Sequence, residues 1–239
     1  MSKETYPIFK LAERIVFNAE GTYVLLDTGC PYSFAVNGKV GSFCVSPKTE
    51  EFFDRSIKLV MPNGSKVTAI LSPLDGYNCH LTHDSITITD EQEQLPEHDY
   101  FLPFVEESGN FLLAMGKDLP IVEGTMNGMP IRFFFDSGAR MTMFGEIALT
   151  GGKPATGSYT EWMAMLRKNE TLDVYDATLD FPCGLHHEGK SALVKNREYM
   201  FHGMMMGIRA MLGIDLFNDY DLYISTANQQ RGIALKRRR

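Results

Sequence analysis

The sequence has few cysteines, little excess charge and no long apolar run. Its four cysteines among 239 residues (Cys30, Cys44, Cys79 and Cys183) show no close pairing, so reduced thiols are expected rather than disulfides. Acidic residues outnumber basic ones by 30 to 23, and the net charge of −7 argues against nucleic-acid binding, which needs a basic face. No apolar segment approaches membrane-spanning length, so no membrane contact is expected.

The first residues also lack a targeting signal. The segment MSKETYPIFKLAER contains no apolar stretch of signal-peptide length, so a cytoplasmic protein is expected. The only basic run, at positions 236–239, is interpreted as a solvated tail. The length allows one large domain or two small ones, each with its own core.

The main positive feature of the sequence is an internal repeat. Residues 15–36 read IVFNAEGTYVLLDTGCPYSFAV, and residues 121–144 read IVEGTMNGMPIRFFFDSGARMTMF. In each copy, an apolar strand, a turn that contains glycine and a second apolar strand lead to Asp-(Thr/Ser)-Gly. The uninterrupted apolar residues before each aspartate predict strands that are buried on both faces.

Two further elements occur in both halves. Residues 111–119 and residues 208–217 each place apolar residues before Gly-x-Asp-Leu. Residues 57–71, with a turn at 62–65, and residues 160–179, with a turn at 167–170, are each predicted to form a β-hairpin, although 162–166 could also begin a helix. The repeat therefore predicts two β-rich lobes, residues 1–119 and 120–239.

The two acidic motifs carry a family resemblance. DTGCPYS (27–33) and DSGARMT (136–142) resemble the active-site loops of aspartic proteases, and the second is similar to the retropepsin pattern. Leu112 to Gly116 and Met211 to Gly213 resemble the apolar-Gly element that closes each lobe of that fold. The resemblance implies a mostly β fold of two pseudo-twofold-related barrel lobes with short helices, as in pepsin-like and retropepsin-like enzymes.

The resemblance also implies an activity. It identifies Asp27 and Asp136 as the pair that activates water in an aspartic endopeptidase acting on extended peptides. Two carboxyls held close together cannot both ionise, so one stays protonated and the pair supplies acid and base; aspartic proteases are the standard illustration of this effect. Because both motifs lie in one chain, a monomer without a cofactor is expected, with a peptide or protein substrate as its partner.

Other residues receive supporting roles. By resemblance, Thr28 and Ser137 bridge the two loops, while Gly29 and Gly138 permit tight turns and offer backbone N–H donors. Asn63 and Gly64 occupy the position of the flap hairpin that covers the substrate in retropepsin-like chains. The side-chain pockets are expected to be lined by apolar residues such as Phe34, Val60 and Phe144.

Two alternatives remain open at this stage. Cysteine and histidine residues with spacings that a zinc site could use are Cys79, His80 and His83 in the first half and Cys183, His186 and His187 in the second. Neither group has the C-x-x-C pairing of a strong zinc signature, so polar loop residues and no metal are expected. The alternative function is a catalytically inactive protease-fold module that binds peptides or proteins. Both Asp-x-Gly triplets are intact, which favours the enzyme.

Overall fold

The computed structural model describes residues 2–11, 13–105, 119–163, 168–195 and 208–238. Within these residues the chain is mostly β-sheet, with one α-helix and three short 3-10 turns, as the sequence predicts. No helix in these ranges is long and apolar enough to cross a lipid bilayer.

Among the described residues, the first half contributes eleven strands and the helix. The strands are β1 (Lys3–Leu11), β2 (Arg14–Ala19), β3 (Thr22–Leu26), β4 (Phe34–Ala35), β5 (Lys39–Val40), β6 (Phe43–Cys44), β7 (Ser46–Pro47), β8 (Val67–Leu71), β9 (Asn78–Leu81), β10 (Ser85–Thr89) and β11 (Tyr100–Pro103). The helix, α1 (Glu50–Ser56), begins after Thr49, whose hydroxyl accepts a hydrogen bond from the Phe52 N–H. This side-chain cap satisfies one of the free donors of the first helical turn.

In the described part of the second half there are nine further strands. They are β12 (Ile121–Met126), β13 (Met129–Phe135), β14 (Met143–Phe144), β15 (Gly157–Met163), β16 (Lys168–Asp180), β17 (His186–Leu193), β18 (Ile208–Leu212), β19 (Tyr220–Ser225) and β20 (Gly232–Arg237). The 3-10 turns are Pro73–Asp75, Ile147–Thr150 and Ile214–Phe217.

The strands form two large sheets. The first has the order β11-β20-β19-β9-β10-β1-β2-β3-β8-β4-β7. The second, β12-β13-β18-β14-β17-β16, closes into a six-stranded barrel because β12 also pairs with β16, and β15 extends it beyond β16. Since β19 and β20 pair with first-half strands, the end of the chain completes the first sheet. The division of the lobes at residue 119 stays a prediction.

The hairpins before the acidic motifs form as the sequence predicts. The turn between β2 and β3 has positive φ at Glu20 and Gly21, and the turn between β12 and β13 has positive φ at Asn127 and Gly128. Two successive positive φ values are typical of type I′ turns, whose twist matches that of the flanking strands. The local turn chemistry therefore determines where each strand pair begins.

In each half, one strand pairs both with the strand before the acidic motif and with the strand after it. These two strands, β8 and β18, are called the crossing strands below. The strand β8 runs parallel to β3 and antiparallel to β4, and β18 runs parallel to β13 and antiparallel to β14. Residues 67–71 are therefore not an arm of a hairpin, which corrects the sequence interpretation; only the bridge between Val60 and Lys66 remains of it. The apolar-Gly element at 112–116 lies outside the described residues, and β8, followed by Ser72, occupies the place that β18 and Gly213 occupy in the second half.

The hairpin in the second half is longer than expected. The strands β15 and β16 pair from Gly157 opposite Val174 to Met163 opposite Lys168. Trp162 therefore lies in a strand and not in a helix, and residues 168–170, which were assigned to the turn, belong to β16. The first residue of that turn, at position 167, lies outside the described residues.

The core runs through both halves. Val24 and Leu26 on β3 and Phe133 and Phe135 on β13 have no exposed surface. The ring of Phe135 meets that of Phe217 edge-on, with centroids 5.2 Å apart. Burying one such side chain contributes about 1.5–3 kcal/mol of transfer free energy. The strands that carry the two aspartates are therefore fixed by the most buried part of the molecule.

Candidate active site

The carboxyls of Asp27 and Asp136 meet at the floor of a cleft. They share a hydrogen bond, and each lies against the glycine of the opposite loop. A Cβ atom on Gly29 would lie 2.6 Å from Cγ of Asp136, and one on Gly138 would lie 2.8 Å from Cγ of Asp27. Only glycine at these two positions allows so close an approach of the loops.

Symmetric backbone contacts hold the two aspartates at the strand ends. The Asp27 N–H donates to the Leu71 carbonyl at 3.0 Å, and the Asp136 N–H donates to the Leu212 carbonyl at 3.0 Å. Since Leu71 ends β8 and Leu212 ends β18, each aspartate backbone is held at the end of a crossing strand.

Reciprocal hydroxyl contacts join the two loops. The Thr28 hydroxyl donates to the Phe135 carbonyl at 2.8 Å and accepts from the Ser137 N–H at 2.9 Å. The Ser137 hydroxyl donates to the Leu26 carbonyl at 3.2 Å and accepts from the Thr28 N–H at 3.0 Å. Both side chains are fully buried. The structure thus brings together the bridging residues that the sequence analysis named, and their role in catalysis stays a prediction.

Backbone donors dominate the contacts to each carboxyl. Asp27 Oδ1 accepts from the N–H groups of Gly29 and Cys30 at 2.8 and 3.2 Å, and Asp136 Oδ1 accepts from the Gly138 N–H at 2.8 Å. The Cys30 thiol donates to the Tyr32 carbonyl instead. Burial raises the pKa of this thiol to about 12, so it stays protonated and is not a nucleophile.

Burial raises the pKa of both paired carboxyls above the ordinary aspartate range. For Asp136 the negative charge of Asp27 and their shared hydrogen bond add to this effect, so its pKa lies well above that range. For Asp27 the hydrogen bond from Asp136 and the backbone donors oppose it. The arrangement favours a singly protonated pair.

A second carboxylate supports each loop from below. The Ser33 N–H donates to Asp75 Oδ2 at 3.2 Å, and the Thr142 N–H donates to Asp215 Oδ1 at 3.0 Å. The hydroxyl of Thr142 also accepts from the Gly213 N–H at 3.2 Å. These contacts fasten the end of each acidic loop to the turn that follows the crossing strand.

The pH dependence of stability is expected to change on Asp215→Asn. Burial raises the pKa of Asp215 to about 6, although Thr142 donates to it. Since this pKa exceeds the value near 4 in the unfolded chain, the folded state binds the proton more tightly and stability falls as pH rises from about 4 to about 6. The shift corresponds to about 3 kcal/mol.

Urea unfolding of wild type and Asp215→Asn between pH 4 and 7 measures this effect. The variant is expected to lose that part of the decline in the free energy of unfolding, whereas Asp54→Asn, at an exposed ion pair with Lys66, should follow the wild type. Parallel curves for Asp215→Asn and wild type would show that Asp215 titrates normally in the folded protein.

The cleft above the carboxyls is mainly apolar and has a volume of about 450 Å³. Its apolar lining includes Leu25, Phe52, Ile57, Leu59, Ile70, Phe134, Met143, Met163, Ile208 and Met211. The residues expected in the side-chain pockets, Phe34, Val60 and Phe144, are not among those that line this cleft: Phe144 is fully buried in the core and Val60 is 53% exposed. On β13 the cleft-facing residue is Phe134, because side chains alternate between the faces of a strand.

The turn that the sequence predicts as the flap, at Asn63 and Gly64, is not among the described residues that line the cleft. The Asn63 amide instead donates to the Tyr23 hydroxyl at 3.0 Å. A covering role for this turn stays a prediction.

An arm of the second-half hairpin does line the cleft. Glu161, Trp162 and Met163 at the end of β15 border it. The indole N–H of Trp162 donates to the Ser56 carbonyl at 3.3 Å, and the Lys58 ammonium lies 3.9 Å from the centre of the indole ring. The second-half hairpin, formed by β15 and β16, thus contacts the end of α1 on the opposite side of the cleft.

A charged cluster that the sequence analysis missed borders the same cleft. Glu161 accepts from Arg14 at 2.6 Å and from Arg140 at 3.0 Å, and its side chain is only 4% exposed. Burial alone raises the pKa of Glu161, but the charge of Arg14 and the hydrogen bonds from Tyr159 and both arginines lower it below the ordinary value. Glu161 is therefore ionised, and the cluster carries one net positive charge.

The cysteine and histidine groups form no metal site in the structure. Among the described residues, which include all six, no group of three or more His, Cys, Asp or Glu side chains could hold a metal ion. Cys79 is buried in β9, and His186 pairs with Asp180 on the surface at 2.6 Å.

Comparison with known proteins identifies the fold. No family model and no curated protein sequence matches this chain. Among solved structures, the aspartic proteinase from Irpex lacteus is similar over 98% of both chains, with a TM-score of 0.50 and 12% sequence identity. The basic 7S globulin from soybean is similar over 99% of this chain and 94% of its own, with a TM-score of 0.48 and 8% identity. At such identity the likeness shows the fold alone: the chain has the two-lobed, pepsin-like β fold of the acid proteases.

Proposed function

We propose that the protein is an aspartic endopeptidase that works as a monomer on peptide or protein substrates. The observation that carries the proposal is the shared hydrogen bond between Asp27 and Asp136 at the floor of an apolar cleft. The reciprocal contacts of Thr28 and Ser137 support it, because they hold two carboxyls from distant parts of one chain in a fixed relation.

The chemistry follows from one shared proton. A water molecule between the carboxyls gives a proton to the ionised one and attacks the peptide carbonyl carbon, while the protonated carboxyl donates its proton to the carbonyl oxygen. The result is a neutral tetrahedral intermediate, and the pair has exchanged its proton. When the C–N bond breaks, the nitrogen takes up a proton from the pair, a hydroxyl of the intermediate returns one, and the pair regains its initial state.

The cleft indicates the kind of substrate. Its apolar walls are contributed by both halves, with Leu25 and Ile70 on one side and Phe134 and Met211 on the other. An extended peptide with hydrophobic side chains on both sides of the cleaved bond would bury them there, at about 25 cal/mol for each Å² of apolar surface. The end of β15 lies beside the cleft, where it can pair with the substrate backbone.

The pH profile of cleavage tests the proposal. The positions after the two triplets hold Cys30, whose thiol points away from Asp27, and Ala139, which has no donor. Without hydroxyl donors to stabilise the charged form, and with both pKa values raised by burial, the singly protonated pair should persist to higher pH than in pepsin. We expect a bell-shaped profile of kcat/KM centred roughly between pH 4 and 6.5.

The profile is measured with a fluorogenic peptide that carries hydrophobic residues around the cleaved bond. A maximum below about pH 3 would show that other donors set the acidity of the pair. If the peptide bound in the cleft but stayed intact at every pH, the protein would be a binding module with this fold.

A further inference from the structure

One register position distinguishes the two halves of the site. Arg14 lies two residues before the residue that pairs with Leu25 in the β2–β3 ladder. Leu119 lies two residues before the residue that pairs with Phe134 in the β12–β13 ladder. Because Leu25 and Phe134 each lie two residues before an aspartate of the pair, Arg14 and Leu119 occupy equivalent positions. The pseudo-twofold symmetry of the site is thus broken by a charge.

The contacts of Arg14 bring this charge close to Asp27. Its Nε donates to the Gly138 carbonyl at 2.9 Å, and its Nη2 donates to Glu161 at 2.6 Å. Gly138 lies against both carboxyls: a Cβ atom on it would be 2.8 Å from Cγ of Asp27 and 3.1 Å from Oδ1 of Asp136. The side chain is 13% exposed, so water screens its charge little. Arg14 therefore connects the acidic loop of the second half to β15 and places a guanidinium beside the aspartate pair.

The surrounding residues hold Arg14 in this position. Glu161 also accepts from the Trp162 N–H at 3.0 Å and from the Tyr159 hydroxyl, so both of its oxygens are satisfied. Arg140 donates to the other oxygen of Glu161 and, at 2.9 Å, to the Thr160 carbonyl. A buried ion pair is tolerated when its groups are satisfied in this way. The cluster has a net charge of +1, which complements the single negative charge of a singly protonated aspartate pair.

We propose that Arg14 is a positioning residue that makes the two aspartates unequal: Asp27 keeps the negative charge and takes the proton from the attacking water, and Asp136 keeps the proton and gives it to the substrate carbonyl. The division of charge is inferred from the position of Arg14 on β2, next to the strand that leads to Asp27, and from its contact with Gly138; its consequence for the reaction rests on the proposed endopeptidase function. An opposite charge at about 4–6 Å favours the ionised form of a carboxyl. The charge of Arg14 accordingly lowers the pKa of Asp27 against the effect of burial.

Several other ionisable groups lie in the two acidic loops or form hydrogen bonds to them. From the first half they are Cys30 and Asp75, and from the second half they are Arg140, Tyr159, Glu161 and Asp215. The Cys30 thiol and the Tyr159 hydroxyl have raised pKa values and are neutral in the acid range. Glu161 opposes the charge of Arg14 directly, so the two residues can be tested for effects of opposite sign.

Carbon-13 NMR of the aspartate carboxyl carbons reads the charge of the pair without any turnover. The spectra of Asp27→Asn and Asp136→Asn assign the signals. In Arg14→Met the lower apparent pKa of the pair is expected to rise by about one unit or more, because the favourable charge is removed. In Glu161→Gln the same pKa is expected to fall, because the charge of Arg14 is no longer compensated. Arg55→Met, at an exposed ion pair with Glu51, is the control and should leave the titration unchanged.

Cleavage kinetics test the consequence for the reaction. The acidic limb of the kcat/KM profile should move to higher pH in Arg14→Met and to lower pH in Glu161→Gln. Arg14→Lys keeps the charge and should keep the limb in place, while kcat falls because the contact to Gly138 is weakened. A residue with a merely structural role would lower activity without moving the limb in opposite directions.

The outcomes separate the two proposals. A folded Arg14→Met with an unchanged carboxyl titration would overturn the inference, as would a shift in Glu161→Gln of the same sign. Should Arg14→Met fail to fold, the titration of Glu161→Gln decides: a fall in the lower pKa supports the inference, and no change or a rise overturns it. The expected titrations in a protein that cleaves no peptide would leave the inference standing and refute the endopeptidase function.

Discussion

Asp27→Asn and Asp136→Asn are each expected to abolish peptide cleavage while the fold stays intact. An amide can neither take a proton from water as a carboxylate does nor donate one as a carboxylic acid does. Because the two carboxyls share one proton, loss of either removes the base and the acid together. We expect kcat/KM to fall by about 10³-fold or more in each variant.

The stability of these two variants is not expected to fall with their activity. Burial raises the pKa of both carboxyls, so ionising the pair costs free energy in the folded state. Neutral asparagine avoids this cost, and the melting temperature at neutral pH is expected to stay level or rise. Circular dichroism melting and a peptide cleavage assay on the same preparations check both results. Turnover near the wild-type level in either folded variant would refute the assignment of the pair.

The sequence predicts the acidic loops well because the relevant rules are local. The turn at Asn127 and Gly128 requires positive φ values, and the apolar strands that follow such turns belong to the core. The repeat then shows that the same unit occurs twice. From these features the sequence predicts two lobes, and the resemblance of the acidic motifs to those of aspartic proteases implies the pairing of Asp27 with Asp136.

The crossing strand of the first half could not be found in this way. Its partner β3 runs parallel to it, and parallel pairing joins segments that no turn connects. Gly213 follows the equivalent strand in the second half, and Ser72 takes its place in the first half. The repeat therefore cannot be recognised here from the sequence. For this reason the sequence predicts that residues 67–71 belong to the hairpin at 57–71.

The charged cluster was missed for a related reason. Arg14 and Glu161 are 147 positions apart, and neither belongs to a motif. Their pairing depends on where β15 lies relative to β2, and because these strands belong to different sheets no local pattern reveals it. Arg140 lies within the second acidic motif, two positions after its triplet. Nothing in the sequence distinguishes it from an exposed loop arginine.

The positions of the two carboxyls depend on the glycines of the acidic loops as well as on the aspartates themselves. A Cβ atom added to Gly29 would lie 2.6 Å from Cγ and from both carboxyl oxygens of Asp136. Real Cβ atoms do not approach other atoms so closely, so the Asp136 carboxyl has to move. Its own loop is held by the hydroxyl contacts of Thr28 and Ser137, which leaves the side-chain rotation of Asp136 as the easiest response.

Gly29→Ala is therefore expected to fold and to lose most of its activity. The φ angle of Gly29 lies outside the left-handed region, so alanine adds no backbone strain, and the effect comes from the displaced carboxyl alone. Moving a reacting group by about 1 Å costs about 10²-fold in rate, and we expect a fall in kcat/KM of that size or more. The decrease should appear mainly in kcat, because the apolar walls that bind the peptide are unchanged.

Gly157→Ala is the matched control for this substitution. Gly157 also has an ordinary φ angle, and a Cβ atom there would meet nothing within 4 Å. Its activity and melting temperature should stay close to those of the wild type. The comparison uses kcat, KM and the melting temperature of the three proteins. Wild-type kcat in a folded Gly29→Ala would mean that the Asp136 carboxyl can turn away from Asp27 without loss, and the close contact between the two loops would then have no part in catalysis.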